Sequence, residues 1–376
     1  MLFETFKRTD SSFMDYRENP FDFYNRSSSA EVATIRELIE DWYKDYPHSG
    51  KKHLHGLFKG DFDAAFFELF MFTLFNRNNF TVSLHPELYL KSTKPDFCLK
   101  RNYLEWYVEA KIVKNVSEGE EKKNRVMDAI EHELNKIKSP NFFFHFKHTD
   151  FEYTGKGHPP LTNCKEFIEN ELQNRNPDEV ERLLKEEGLN CEYVNVKYEK
   201  KGLKLILGLI PKAKKFRGDA NVRPIGLITR GEAKFVTTHE AIKISLQKKA
   251  SKYGSFDKPF IIALNSISPT GTDAFEIEKA LFGDPGFLIN VNTGVQEGSY
   301  RSKNGAFHQD FMKNVSAVFI TRLYPSNIHE AEYSFYINPN AINSINLLET
   351  DYSCNYFDRN DKYSIKKGKS IAELLK

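Results

Sequence analysis

The segment FDAAFFELFMFTLF, Phe62 to Phe75, limits the fold more than any other part of the chain. Apolar residues cover almost its whole circumference at helical spacing, so as a helix it must be enclosed on all sides. A chain of 376 residues has the volume to enclose it, as one elaborated domain or as two. From Ala64 to Phe75 it carries a single acid, Glu68. An unpaired carboxylate there costs on the order of several kcal/mol or is forced neutral, so Glu68 calls for a cation, an Arg or Lys, or a metal-bound water. The alternative is that it marks the one wet edge of the helix.

Three short segments follow. FTVSLH (Phe80 to His85) alternates as a strand, DFCL is a second apolar run, and YLEWYVEAKIV keeps a strict period of two. On this third strand Leu104, Trp106, Val108, Ala110 and Ile112 face one way, and Tyr103, Glu105, Tyr107, Glu109 and Lys111 the other. The apolar face suits packing on the Glu68 helix, and Glu109 and Lys111 stand roughly 7 Å apart on the opposite face. If Asp96 opens an adjacent strand, its carboxylate meets Glu109 across the gap. Two hard carboxylates can hold Mg²⁺ while leaving positions for water and a substrate phosphate. An ammonium two residues beyond Glu109 can orient or help deprotonate an attacking water, and Glu68 can reach in from the helix. The competing reading is the outer face of an ordinary charged hairpin.

The order helix with Glu68, strand, Lys94-Pro95-Asp96, strand, Val108-Glu109-Ala110-Lys111 resembles the PD-(D/E)xK nuclease superfamily, the restriction-endonuclease-like fold. Pro95, Asp96, Glu109 and Lys111 match its signature, and Glu68 matches the acid that many members carry on the first core helix. The resemblance implies an α/β fold with a mixed central sheet flanked by helices. It further implies a Mg²⁺-dependent nuclease, with Mn²⁺ as substitute, hydrolysing DNA rather than RNA phosphodiester bonds in bacterial defence or DNA repair. Asp96, Glu109 and Glu68 would then surround the metal, with Lys111 as the catalytic cation. The alternative is a silent or partner-activated nucleic-acid-binding or interaction module of the same fold. FFELFMFTLF, HPELYLKSTKPDF, KKASKYGSFDKPFIIALNSI and VSAVFITRLYP also resemble a bacterial group built on this core, over most of the chain after residue 60, without an assigned substrate.

The remaining punctuation suggests a helical lead-in over 1–60, a core over 61–267 with an insertion at 150–237, and a C-terminal extension over 268–376 packed on the core. SSSAEVATIRELIEDWYKDYP predicts an amphipathic helix, with Ser28 and Glu31 at capping-box spacing. KNVSEGEEKKNR reads as a surface loop. Two helix–strand pairs compete to complete the core: RVMDAIEHELNKI with NFFFHFK, and THEAIKISLQKKASKYG with KPFIIALN. In the second, Lys249, Lys252 and Tyr253 fall on neighbouring helical positions. Some members of the superfamily carry a Gln four residues before a Tyr on this helix; here Lys249 replaces the Gln. These three residues are candidate phosphate contacts, against a solvated helix face.

Within the insertion, an acidic helical segment breaks at Asn176-Pro177, and a hairpin pattern centres on Lys201-Gly202. Its basic run includes Lys212, Lys214, Lys215 and Arg217, which suits phosphate contact or protection of an edge strand. Arg301 and Lys303 fall in the predicted loop GSYRSKNGAFHQDF.

Composition restricts the function classes. Lys and Arg number 54 against 52 Asp and Glu, so no whole-molecule field selects nucleic acid and any basic surface is local. Four cysteines are too few for a disulfide scaffold and too widely spaced for a CxxC metal site, which fits a reducing cytoplasm. No apolar run reaches signal-peptide or membrane-span length, which makes a cytoplasmic protein the expectation. A zinc helix, a Gly-rich phosphate loop, a GxSxG elbow and the kinase motifs are all missing. A homo-oligomer or a protein partner is left open.

Overall fold

The computed structural model describes residues 1–15, 18–88, 94–114, 118–147, 151–155, 159–188, 191–220, 222–229, 238–253, 256–267, 273–358 and 362–376. Two compact units divide the chain: residues 1–14, 18–115 and 236–376 form one, and 15–17 with 116–235 the other. In the first unit, helices α1 (Pro20–Arg26), α2 (Ala30–Asp45), α3 (His48–Gly60) and α4 (Phe62–Arg77) precede strands β1 (Thr81–Leu84), β2 (Phe97–Arg101) and β3 (Leu104–Val113). The second unit holds α5 (Glu118–Asn135), β4 (Phe142–Lys147), β5 (Phe151–Tyr153), α6 (Leu161–Gln173), α7 (Pro177–Glu186), β6 (Asn195–Lys200), β7 (Leu203–Pro211) and β8 (Ile225–Thr229). The chain then returns to the first unit with α8 (Thr238–Tyr253), β9 (Phe260–Ser266), α9 (Ala274–Phe282), β10 (Pro285–Ile289), β11 (Gln296–Arg301), β12 (Ala317–Thr321), β13 (Tyr333–Ile337), β14 (Cys354–Phe357), β15 (Tyr363–Lys366) and α10 (Ile371–Leu374).

The fold is mixed α/β. Among the described residues, a sheet runs β1-β2-β3-β9-β12-β13-β14-β15, with parallel β3–β9 and β9–β12 at its centre and antiparallel β1–β2–β3 on one side. Strand β9, FIIALNS, is buried at every position because helices cover both faces, which is why it reads as a continuous apolar run.

On one face Phe97, Leu99, Trp106 and Val108 pack with Ile39, Trp42 and Phe58 and with the phenylalanines of α4. On the other, Tyr107, Val113, Ile262 and Leu264 pack with Ile242, Leu246 and Ala250 of α8 and with Ile277 and Leu281 of α9. The period-two reading of β3 and the enclosed helix α4 are therefore both observed. Phe70 is fully buried in α4. Phe70→Ala should cost about 3–5 kcal/mol by leaving a cavity, measurable by urea unfolding against the parent chain.

Several expectations require correction. The helix–strand pair beside β3 is α8 with β9, whereas α5 and β4 belong to the second unit. There Phe142 and Phe144 of β4 pack with Leu205, Leu207, Leu209 and Ile168, and β4 pairs with β7. The inserted unit thus begins at 116 rather than 150, because the apolar face of β4 finds its partner in β7. Residues 268–376 are not an appendage, since β12 to β15 continue the sheet that contains β3.

The charged stretch after β3 becomes the start of α5 from Glu118, consistent with the high helix propensity of Glu and Lys. Helix α2 is capped at Ser29 without a side-chain bond, while the Ser28 amide donates to the Asp10 carbonyl at 2.8 Å, so the Ser28 capping box does not form. Two local predictions hold: the acidic helical segment breaks at Asn176-Pro177, where the Asn176 side chain accepts the Asp178 amide at 2.9 Å, and Lys201 and Gly202 turn the β6–β7 hairpin at φ 51° and 77°. No described helix is long and apolar enough to cross a membrane.

Candidate active site

The register of β2 against β3 pairs Phe97 with Val108, which sets Asp96, one residue earlier, beside Glu109. Two backbone bonds fix Asp96 there. Its Oδ2 accepts the Ala110 amide at 2.7 Å, and its carbonyl accepts the His85 amide at 2.9 Å. Glu109 is almost fully buried and points to the α8 side of the sheet. Lys249 and Tyr253, one helical turn apart on α8, both reach it: the Lys249 ammonium donates to Oε1 and the Tyr253 hydroxyl to Oε2. Lys252 lies 3.5 Å from Glu109 Oε1 and donates to the Tyr253 oxygen at 2.7 Å, while the Lys94 carbonyl stands 3.1 Å from the same hydroxyl.

Glu68 of α4 is also buried and accepts a hydrogen bond from the Tyr46 hydroxyl at 2.7 Å. This is the partner its position demanded, supplied by a neutral hydroxyl. Burial, the charge of Glu109 and, more weakly, that of Glu68 push the Asp96 carboxyl up to about 7, against the Ala110 amide and the Lys249 ammonium. Burial first, then the bond and charge of Glu109, raises the Tyr253 hydroxyl and keeps it protonated. Burial and the charge of Glu68 do the same for Tyr46.

The raised Asp96 has a defined sign in stability. Below its ordinary value of 3.8 the group is protonated whether the chain is folded or not; between there and about 7 only the folded chain keeps the proton. Stability from this group is therefore full below about pH 4 and is lost as pH rises to 7, on the order of 4 kcal/mol over the window. Denaturant titrations in chelator at pH 5 and pH 7.5 should show the decline, and Asp96→Asn should flatten it.

The structure brings Asp96 and Glu109 together and sets Glu68 near enough for its charge to act on Asp96. Lys111 shares the Glu109 face of β3 but is exposed, and among the described residues it forms no bond to either carboxylate. Lys249 and Tyr253 hold Glu109 directly, so the solvated-face reading fails for them. Sequence reasoning missed Tyr46, a lone tyrosine at the end of α2 whose sequence context carries no sign of its partner.

Two of the remaining basic candidates serve the second unit. Lys212 is buried, donating to the Asp219 carbonyl at 2.6 Å with its ammonium 5.2 Å from the Phe143 ring centre. Arg217 pairs with Asp178 at 2.8 Å and Glu181 at 3.0 Å. Both are fastened by protein groups. Lys214 is 3.5 Å from Asp178, and Lys215 lies beside Phe216. Arg301 stands at the end of β11 rather than in a loop, pairs with Glu278 and lies over the Tyr363 ring.

No family model, curated protein or solved structure matches this chain, so its chemistry rests on the side chains themselves. Among the described residues no group of three or more His, Cys, Asp and Glu stands at metal-ligand spacing. The pair Asp96 and Glu109 nonetheless fits Mg²⁺, an oxygen-seeking cation commonly held by only one or two carboxylates. Burial first and the charge of Glu109 second raise the Asp96 carboxyl, only partly offset by the Ala110 amide and Lys249, and a divalent cation held there would favour its ionised form.

Proposed function

We propose that the chain is a Mg²⁺-dependent nuclease hydrolysing DNA phosphodiester bonds on a restriction-endonuclease-like core, with a cytoplasmic role in bacterial defence or repair. The observation that carries this reading is the convergence of Asp96 and Glu109 at the junction of β2, β3 and α8, with Asp96 holding its proton up to about pH 7. Asp96 and Glu109 would hold the cation, and Glu68 would bear on them through its charge, anchored by Tyr46. When bound, the cation supplies Lewis-acid charge to a phosphate oxygen.

The other steps fall to the protein. Asp96 would have to lose its proton to hold the cation. Tyr253, kept protonated, fixes the orientation of Glu109. Lys111, exposed on the same face, offers an ammonium to the phosphate or to the attacking water. Lys249 neutralises Glu109 in the resting site, and would compete with a divalent cation for that carboxylate. Because Lys249 and Tyr253 engage both Glu109 oxygens, a second reading has support: a site held closed until a partner or substrate draws α8 away.

Circular DNA, linear DNA and RNA should be incubated with Mg²⁺, Mn²⁺ or chelator, with wild type and with a folded Asp96→Ala, Lys111→Ala variant. Metal-dependent DNA cleavage confined to wild type is the expected result. Tight, metal-independent binding by both proteins without cleavage would transfer the case to the partner-activated module.

A further inference from the structure

Helix α3, HSGKKHLHGLFKG, carries charge of one sign: Lys51, Lys52 and Lys59, with His48, His53 and His55 and no acid. Its apolar side is committed to the core, since Leu54 and Phe58 are fully buried and a Cβ on Gly50 would collide with Leu84 and the Tyr46 ring. The opposite side is open. Lys52, His53, Gly56 and Lys59 are exposed in one stripe at helical spacing, and a Cβ on Gly56 would meet nothing within 4 Å.

The cations of this stripe are unanswered. Among the described residues the Lys52 ammonium has no hydrogen bond or ion pair, and that of Lys59 meets the Phe21 ring at 5.8 Å but no acid. Exposed lysines elsewhere differ: Lys185 pairs with Glu181 at 2.9 Å and Lys369 with Asp351 at 2.6 Å. Like charges left unpaired on one short helix repel each other, and an external anion relieves them.

The same stripe borders the candidate site. His85, whose amide donates to the Asp96 carbonyl at 2.9 Å, leaves the strand at φ 43°. Its ring stands edge-on to that of His53, with centres 5.6 Å apart. The nearby acid Glu87 is taken by Lys94 at 2.9 Å. Cations therefore approach the carboxylates from α3 as well as from Lys249 and Lys252 of α8.

Spacing and polarity select the anion. Lys52 and Lys59 stand roughly 10 Å apart along the helix, about the rise of three phosphates on one strand of a duplex. An anionic membrane also attracts lysines, but a helix lying in a lipid surface buries its apolar face there, and that face of α3 is already occupied.

We propose that the exposed face of α3, through Lys52, His53 and Lys59, docks the phosphate backbone of duplex DNA beside the Asp96–Glu109 site. The choice of DNA rests on the nuclease reading; the contact itself is electrostatic and carries no sequence information.

Fluorescence anisotropy in chelator, where nothing is cut, measures duplex binding by the full chain over a range of salt. Lys52→Ala with Lys59→Ala should weaken binding by about tenfold to a hundredfold at physiological salt, alike on AT-rich and GC-rich duplexes. The slope of log affinity against log salt should fall by about two. Circular dichroism confirms the fold, and Lys52→Gln with Lys59→Gln decides if the alanine variant does not fold. A Lys185→Ala, Lys369→Ala control removes equal charge from paired positions and should bind as wild type does. An unchanged slope in the α3 variant, an equal loss in the control, or no duplex binding by wild type overturns the proposal. Loss of binding to phosphatidylserine vesicles with duplex binding intact overturns it too. Cleavage in Mg²⁺ separates the two readings: a wild type that binds through α3 but never cuts counts against the nuclease alone, and one that cuts while binding independently of α3 counts against the docking face alone.

Discussion

Asp96→Asn is expected to remove Mg²⁺-dependent cleavage by about a thousandfold while making the cation-free protein more stable at pH 8. The two effects have one cause. An asparagine oxygen still accepts the Ala110 amide, so the start of β2 keeps its tie to β3. What disappears is a carboxylate whose charge is opposed by burial and by Glu109, the same conditions that push it up to about 7. At pH 8 the folded wild type carries that charge at a cost; the amide does not. Thermal unfolding in chelator should place the variant above wild type, and the gap should narrow toward pH 4. A variant that loses both activity and stability would show Asp96 to be a structural acceptor alone.

Lys249→Met is the second large effect. Glu109 has 2% of its side chain exposed, and Lys249 supplies the nearest compensating charge. Removing the nearer member of a buried ion pair leaves Glu109 only the more distant Lys252 at 3.5 Å, so the substitution should cost about 3 kcal/mol in chelator. Glu109→Gln in the same chain removes the stranded charge, and the double variant should regain at least half of the loss. Millimolar Mg²⁺ should restore the single variant but not the double one, because only the single variant keeps the carboxylate. A loss that Mg²⁺ leaves untouched would mean that Lys249 acts by packing its chain on α8.

Much of this site was legible in the sequence because local periodicity encodes it. The strict alternation of β3 placed Glu109 on one face and Trp106 and Val108 on the other, and the all-round apolar character of α4 placed Glu68 inside. The pairing of Lys249 and Tyr253 with Glu109 was only half legible. Spacing put the two residues on one helix face, but the face itself was set by β9 lying parallel to β3 across an inserted unit.

The choice between the two helix–strand pairs was not local either, since the pattern of NFFFHFK suits a central strand equally well. Its assignment to the second unit depends on β7, more than fifty residues away in the chain. Within the basic run at 212–217, local composition does not reveal that Asp178 and Glu181 of α7 stand ready to pair with Arg217.

The central claim is that Asp96 and Glu109 together hold a divalent cation, and calorimetric titration tests it most directly. Mg²⁺ or Mn²⁺ should be titrated into wild type at pH 6.5 in two buffers of different ionisation enthalpy, and into the Asp96→Asn, Glu109→Gln variant. The account predicts one site, lost in the variant, with a buffer-dependent heat that reports the proton leaving Asp96. Binding of equal strength in the variant, or no binding by wild type, would contradict it.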